Sequence, residues 1–324
     1  MKVIAALFLF FFGVQAVCAQ TIPIGGMVKD SQGHPVPLAF VRDRQHYYAT
    51  YADSTGAYLL KADPASYLVA IAPDYADITV KVDGKASIDI VMQKGVSSSA
   101  KTAVVADLNS NLAMLSAYLN KQTMVSQSGA TTSVKAGFVQ EPTKGSPYQF
   151  TIWAHGFAIT NGDSLLYDVN NLYNYDKLTG NLVFTKDGKN ILQANTQGIK
   201  SFNLFNGKPH PVVFVNAAEV SKRPFIEILV STPKYKLYKQ TDAKYLEANF
   251  HTDGVVTTGN RYDEYEDNSH YFFVKAGEKA KQISLKKKTI KELFGGDADK
   301  FISAQGDRDL DDDYLRDLNY TLTQ

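Results

Sequence analysis

The chain has 324 residues, with 34 Lys and Arg against 33 Asp and Glu, one Cys, 18 Phe and 19 Tyr. A formal net charge of +1 leaves no broad positive field for phosphate backbones, which argues against a nucleic-acid partner. At 44% apolar and 21% charged residues an all-coil chain is excluded, and the length suffices for about two domains of roughly 150 residues each.

Met1-Lys2, the apolar run Val3 to Val14 and the segment Gln15-Ala16-Val17-Cys18-Ala19-Gln20 read as a signal peptide over residues 1–19. The run is shorter than the about 20 apolar residues that span a bilayer, and the small side chains at Val17 and Ala19 place cleavage before Gln20. A lipid on Cys18 is the rival use, disfavoured by Val17 where a smaller residue ordinarily precedes such a cysteine. Removal of residues 1–19 leaves 33 basic and 33 acidic residues and no cysteine. Disulfides, thiol nucleophiles and thiolate metal sites then drop out, and burial must stabilise the exported protein. No later stretch reaches 18 consecutive apolar residues, so no transmembrane span is expected in the mature chain.

Residues 20–93 alternate short apolar runs with turn signals. Ile24 to Val28, Val36 to Arg42, Tyr47 to Tyr51, Ala57 to Leu60, Tyr67 to Ile71, Ile78 to Val82 and Ile88 to Met92 predict seven strands of a sandwich. Gly33 and Gly56 fall where the turns Asp30-Ser31-Gln32-Gly33 and Asp53-Ser54-Thr55-Gly56 require positive φ, and Pro35 and Pro37 suit an edge strand.

The run Gly26-Met27-Val28-Lys29-Asp30-Ser31-Gln32-Gly33-His34-Pro35-Val36-Pro37-Leu38-Ala39-Phe40-Val41, followed by Ala52-Asp53-Ser54-Thr55-Gly56-Ala57-Tyr58-Leu59-Leu60, resembles the carboxypeptidase regulatory-like (transthyretin-like) domain. Ala72-Pro73-Asp74-Tyr75 is a weaker match to a further stretch of that family. The resemblance implies a seven-stranded prealbumin-like sandwich of the kind found in exported Bacteroidetes-type proteins, and a scaffold or interaction role rather than catalysis.

Residues 94–136 read as a linker. Lys94 to Ala100 is small and polar, and between Thr102 and Met124 the residues Leu108, Leu112, Leu115 and Leu119 lie on one stripe of an amphipathic helix. The stripe is too short for a coiled coil and predicts docking on a neighbouring domain.

From residue 137 to 324 apolar runs recur between Asn-Gly and Asp-Gly turns, which are strong hairpin signals. Thr151 to Ile159, Ser164 to Val169, Leu172 to Tyr175, Asn181 to Thr185, Ser201 to Phe205, Val212 to Val215, Phe225 to Ser231, Lys234 to Lys239, Tyr271 to Lys275 and Gln282 to Leu285 predict an antiparallel meander or open barrel. C-terminal helices follow: one capped by Thr289 and running through Phe294, a turn over Asp297 to Ser303, and a last helix opened by Asp309 or Asp311. The fold class expected for the whole is therefore mainly β. Through Gly145-Ser146-Pro147-Tyr148, Tyr173-Asn174, Ile199-Lys200-Ser201-Phe202 and the passage from Ser284 to Phe294, this region is similar to a group of uncharacterised exported Bacteroidetes-type proteins. That resemblance supplies no catalytic residue.

Chemistry-bearing patterns are sparse. His34, His46, His155, His210, His251 and His270 stand singly, with no His-x-x-x-His spacing for zinc and no Gly-x-Ser-x-Gly elbow for a serine nucleophile. Asp307, Asp309 and Asp311 have the alternate spacing of a calcium loop, but its sixth and twelfth positions hold Asp312 and Leu318 where Gly and Glu are needed. No catalytic residue, metal site or cofactor is expected.

Candidate ligand contacts are the strand aromatics Trp153, Tyr167, Tyr173 and Tyr175, whose faces could stack on a sugar or a partner side chain; cross-strand packing is the competing use. Ser54 and Ser164 follow aspartates in predicted turns and are candidate O-glycan acceptors. The expectation is a non-enzymatic exported protein of the periplasm, outer membrane or extracellular space, acting as an interaction or scaffold module on an envelope protein. A carbohydrate-binding protein and a hydrolase with a dispersed site in residues 137–324 are the alternatives.

Overall fold

The computed structural model describes residues 21–95 and 141–323, except 189, 209, 253 and 254. The signal peptide expected at 1–19, with Cys18, and the helix expected between Thr102 and Met124 lie outside the described residues. What is described is mainly β, in large antiparallel sheets with three helices at the C-terminal end.

Seven strands form the first unit: β1 (Ile22–Asp30), β2 (Phe40–Asp43), β3 (Ala49–Tyr51), β4 (Ala57–Ala62), β5 (Tyr67–Ile71), β6 (Ile78–Lys81) and β7 (Ile90–Met92). They make two sheets, ordered β4-β1-β7 and β3-β2-β5-β6. Along β4 the residues Tyr58, Leu60 and Ala62 point inward while Leu59 and Lys61 are exposed, the period of two that a half-buried strand requires. Ile24, Val28, Leu68, Ala70, Ile90 and Met92 fill the core between the sheets. Gly33 and Gly56 have φ of 86° and 81°, the positive values their turns call for.

The strand expected from Val36 to Arg42 is broken in two. Val36 donates its N–H to the carbonyl of Val28 at 2.9 Å, Leu38 takes φ of 58°, and only then does β2 begin at Phe40. A left-handed residue cannot continue an extended strand, so the Pro35-Val36 segment pairs with β1 and the chain turns before joining the other sheet. β1 also accepts β7 in parallel, with Val28 opposite Ile90. This pairing needs a close backbone approach at Gly26, where a Cβ would lie 1.9 Å from the Ile88 carbonyl oxygen.

Asp43 closes the far end of this unit. It is fully buried, and its carboxylate accepts from Ser66 Oγ at 2.5 Å, Gln45 N at 2.8 Å and Asp63 N at 3.0 Å.

The second unit contains β8 (His155–Thr160), β9 (Leu165–Tyr167), β10 (Leu172–Asp176), β11 (Asn181–Thr185), β12 (Leu192–Gln193), β13 (Ile199–Phe205) and β14 (Val212–Val215). It continues with β15 (Ile226–Ser231), β16 (Tyr235–Leu246), β17 (His251–Thr252), β18 (Thr257–Thr258), β19 (Glu264–Lys275) and β20 (Lys281–Ile283). Eight strands form an open antiparallel sheet, β20-β19-β16-β15-β14-β13-β8-β9, and β10-β11-β12 form a separate three-stranded sheet. No barrel closes among the described residues. The small sheet is fixed to the chain before it by Asn174, which is fully buried. Its Oδ1 accepts from Phe150 N at 3.0 Å and its Nδ2 donates to Phe150 O at 2.8 Å, so one side chain supplies both halves of a backbone pairing.

β16 and β19 pair over twelve positions each, from Tyr235 opposite Lys275 to Leu246 opposite Glu264. Their outer halves are polar, and the segment after residue 140 braces them. Lys177, buried in spite of its charge, donates to Asp267 Oδ1 and Oδ2 at 2.6 and 2.7 Å, while Lys144 Nζ lies 3.5 Å from the ring centre of Tyr262.

The helices are α1 (Lys287–Phe294), α2 (Gly296–Ala304) and α3 (Asp312–Leu322). They cover one face of the large sheet, burying Ile290, Phe294, Phe301, Tyr314, Leu315 and Leu318 against Leu229, Leu237 and Phe273. Thr289 does not cap α1. The helix starts three residues earlier than that cap would give, at Lys287, with Ile290 N donating to the Lys286 carbonyl at 3.0 Å, and Ile290 and Phe294, four residues apart, are both buried on the sheet. Asp311 does cap α3, accepting from Tyr314 N at 2.7 Å, and Asp312 and Asp313 occupy the first turn, where the helix dipole favours negative charge.

Candidate functional site

The two units share an aromatic core. Phe40, Tyr51, Val69 and Ile71 of the first pack with Phe157, Val169 and Phe205 of the second. These are outward positions of β2, β3 and β5, opposite to the faces that fill the sandwich, so the four-stranded sheet is apolar on both sides. Ring centres stand 4.5 Å apart for Phe40 and Tyr167, 5.1 Å for Tyr51 and Phe205, and 5.9 Å for Phe40 and Phe157. Tilted contacts at these separations are favourable beyond the area they bury. Burial pushes the Tyr51 hydroxyl well above its ordinary pKa, with Tyr173, Asp168 and Tyr167 adding to the effect. That hydroxyl is a permanent donor, and it bonds to the Gly156 carbonyl at 3.3 Å.

Behind this seam, the small sheet β10-β11-β12 leans over β8, β9 and β13 and leaves a half-open cleft of about 120 Å³. Its walls are apolar, with Phe157, Leu166, Phe184, Ile199, Phe202 and the ring of Tyr167. Its polar end is the turn joining β9 to β10. There Asp168 Oδ1 accepts from Asn170 N at 3.0 Å and from Asn170 Nδ2 at 3.2 Å, and Lys186 Nζ lies 3.4 Å from Asp168 Oδ2. Asn171 Nδ2 donates to the Tyr173 hydroxyl at 3.3 Å. Burial raises that hydroxyl to about 12, opposed by the Asn171 bond and assisted by the Asp168 charge. Asn171 lines the cleft; its Oδ1 is buried away from that space, and no group among the described residues donates to it.

Of the four aromatic candidates, Tyr167 and Tyr173 meet in this cleft. Tyr175, two residues along β10, is 2% exposed. It stacks on Phe214 at 4.3 Å and 17° and donates to the Phe225 carbonyl at 2.7 Å. Trp153 is partly buried and faces Tyr148 at 5.5 Å and 53°. The four rings thus form no common plane. Ser54 and Ser164 are exposed on their turns. The Asp53 carboxylate beside Ser54 is engaged with Thr55 N at 2.8 Å and Ala57 N at 3.0 Å, and Ser164 N donates to Thr160 Oγ1 at 3.0 Å.

Asp168 and Asn171 were not legible as site residues. An Asp-x-Asn-Asn turn reads as an ordinary loop, and only the folding of β10 back over β8 places it at the end of an apolar cleft. Phe157, Phe184 and Phe202 fall inside predicted strands, with nothing in the sequence to mark them as lining a cleft.

Charged side chains gather at a second place, under α3. Glu227 on β15 is buried and pairs with Arg316, which also reaches Asp313 at 2.6 Å. Lys208 bonds Asp313 and Lys239 bonds Asp312, each at 2.5 Å. Burial pushes the Glu227 carboxyl above its usual range against the pull of Arg316 and Lys239. The cations and anions here are committed to one another and tie α3 to the sheet. Asp311 is spent on its cap, and no group of three or more His, Cys, Asp or Glu among the described residues is disposed to hold a metal. No helix among them is long and apolar enough to cross a membrane.

Fold and site together define a two-unit, mainly β protein with an aromatic cleft beside the seam between the units. The chain matches no family model and no curated protein at a significant level.

Proposed function

We propose that this chain is a non-enzymatic interaction protein of the cell envelope. In this reading residues 1–19 direct export, residues 20–93 are a carboxypeptidase regulatory-like sandwich of prealbumin type, residues 94–136 link it onward, and residues 137–324 present the contact surface. The single observation that carries the reading is the shared aromatic core: one sheet of the sandwich uses its outer face to hold β8 and β13, so the first unit works as a support for the second. Seven strands in sheets of three and four, with Gly33 and Gly56 at positive φ, support the sandwich assignment. The cleft beside the seam is the contact point, because it combines apolar walls with a few convergent polar groups.

Cell fractionation and photo-crosslinking in the native host test this. The chain is expected in the periplasm or outer membrane with Gln20 at its N-terminus, and a photoreactive residue at Asn195, on the exposed rim of the cleft, is expected to capture a discrete envelope component that one at the exposed Lys288 does not. Recovery in the cytosol, or equal capture from both positions, overturns it.

A further inference from the structure

We infer that the outer face of the sheet β4-β1-β7 is the docking surface for residues 102–124 of the same chain, which cover it as an amphipathic helix through Leu108, Leu112, Leu115 and Leu119. Residues 96–140 lie outside the described residues. Three observations point to them: the character of the face, the spacing of the leucines, and the places where the described chain stops and resumes. None of the three depends on where the protein resides or on what its cleft contacts.

The face is apolar and open. Alternate residues of the three strands point away from the sandwich core, which places Pro23 and Met27 of β1, Ala57 and Leu59 of β4 and Val91 of β7 on one surface. Leu59 is 45% and Val91 49% exposed. The other sheet of the sandwich already has its outer face covered, by Phe157, Val169 and Phe205 of the second unit. Gly25 lies within the open face, opposite Leu59, in a register that runs through it without a bulge. Its φ is not positive, and a Cβ there would meet Tyr58 O at 3.6 Å and Leu59 Cδ1 at 3.7 Å, both ordinary contacts. The sandwich therefore has no need of glycine at this position, whereas a glycine inside a strand costs stability and marks the close approach of another group. The dip it leaves beside Leu59 accepts a leucine from above.

Length, charge and connection pick out the occupant. The stripe from Leu108 to Leu119 covers about 17 Å on a helix, and β1 advances about 20 Å from Pro23 to Lys29, the partner of Val91. A helix of that spacing carries Asn109, Ser110, Asn120 and Lys121 on its opposite side. On the face, Lys29 pairs with Asp89 at 3.2 Å at one end and Lys61 donates to the Thr323 carbonyl at 3.3 Å at the other, which leaves the middle neutral. Val91 stands four positions before Gly95, the last described residue of the first unit, so the segment departs beside the surface it covers. The chain between Gly95 and Leu108 can reach up to about 40 Å, ample for turning back. The longer stretch after Leu119 leads to Glu141, whose N–H donates to the Arg261 carbonyl at 2.9 Å. A tethered segment meets the face at an effective concentration of about millimolar, which favours it over a second copy.

Photo-crosslinking within the purified full chain tests this, with the photoreactive residue at Leu59 and, as control, at the exposed Lys288. Trypsin releases residues 102–121 as one peptide, between Lys101 and Lys121, and mass spectrometry identifies what it is joined to. The Leu59 position is expected to capture that peptide within one molecule, at a yield independent of protein concentration, and the Lys288 position is not. Leu112→Asp combined with Leu115→Asp is expected to lower the yield by about tenfold or more, the factor that burial of one leucine supplies. Gly25→Lys, which raises a side chain in the dip, is expected to do the same from the sandwich side. If Gly25→Lys fails to fold, the leucine pair, which lies outside the sandwich, still decides. Crosslinks formed between two molecules, equal capture from both positions, no capture of residues 102–121 from Leu59, or a yield unchanged by the leucine substitutions each overturns the inference. Export and crosslinking from Asn195 are read separately, so the interaction reading stands or falls on its own experiment.

Discussion

Tyr51 and Gly156 are 105 positions apart, and the hydroxyl of the first donates to the carbonyl of the second across the seam between the two units. The contact joins the edge strand of the sandwich to the start of β8, where Gly156 has no room for a side chain: a Cβ there would lie 2.6 Å from Leu204 Cδ2 and 2.8 Å from the Asn203 carbonyl oxygen. The bond and the ring make separable contributions. Tyr51→Phe keeps the ring against Phe40 and Phe205 and loses one long hydrogen bond, for about 1 kcal/mol. Tyr51→Ala opens the seam and is expected to cost about 3–5 kcal/mol. Urea unfolding of both variants checks the difference, and for Tyr51→Ala the two units are expected to lose their common transition.

Asp43 predicts how stability responds to acid. Burial pushes its carboxyl up, but the bonds from Ser66, Asp63, Gln45 and His46 outweigh burial and hold it below the usual value of 3.8. A carboxyl lowered in the folded state contributes stability that is complete above the unfolded value and disappears as pH falls through the folded one. Stability is therefore expected to be flat in this respect above about pH 5 and to decline below the ordinary carboxylate range. Asp43→Asn turns an amide N–H₂ toward groups that are themselves donors, costs about 1–3 kcal/mol at neutral pH, and is expected to flatten the acid limb. Thermal unfolding from pH 2 to 7 on both proteins measures this.

The order of the first unit was legible because its turns are chemically explicit. Asp-x-x-Gly at Gly33 and Gly56 and the alternation from Tyr58 to Ala62 translate directly into positive φ and a one-sided strand. The parallel pairing of β1 with β7 was not legible, since it joins Val28 to Ile90 through backbone alone, and neither was the break at Leu38, where a left-handed leucine interrupts an apolar run. In the second unit the sequence marked strands at Lys234 to Lys239 and Tyr271 to Lys275, the inner halves of β16 and β19. Their outer halves run to Leu246 and from Glu264 through Glu266-Asp267-Asn268-Ser269, where no apolar face exists to betray a strand. Those positions are held by twelve-residue backbone pairing and by Lys177 on Asp267. The cleft was half legible: Tyr167 and Tyr173 stood out as aromatic strand residues, whereas Asp168 and Asn171 gain their meaning from the way β10 folds back.

Gly26 is a point where the first unit tolerates no change. Gly26→Ala would drive a methyl into the Ile88 carbonyl, 1.9 Å away, and that carbonyl is fixed by the Tyr58 hydroxyl at 2.6 Å. The Ile88 backbone on one side and the buried Tyr58 ring on the other, 3.2 Å from that Cβ position, leave little that can yield, so the loss is expected at or above the about 1–3 kcal/mol of ordinary overpacking. Falling urea midpoints with an unchanged slope would register it as a loss of stability alone.

The ion pair under α3 separates structure from charge. Arg316→Met leaves Glu227 buried without its strongest partner, a change expected to cost about 3–5 kcal/mol at neutral pH. Burial already raises the Glu227 carboxyl, and removing Arg316 raises it further. An acid whose folded pKa lies above its unfolded value binds its proton more tightly when folded, so stability is complete below the unfolded value and is lost as pH rises through the folded one. The Arg316→Met penalty is accordingly expected to shrink at pH 4.5 and to grow toward pH 8. Adding Glu227→Gln removes the charge and is expected to recover much of the loss at pH 8 and little at pH 4.5. A double-mutant cycle at the two pH values measures the coupling; a penalty independent of pH would place the contribution of Arg316 in packing its aliphatic stem rather than in neutralising Glu227.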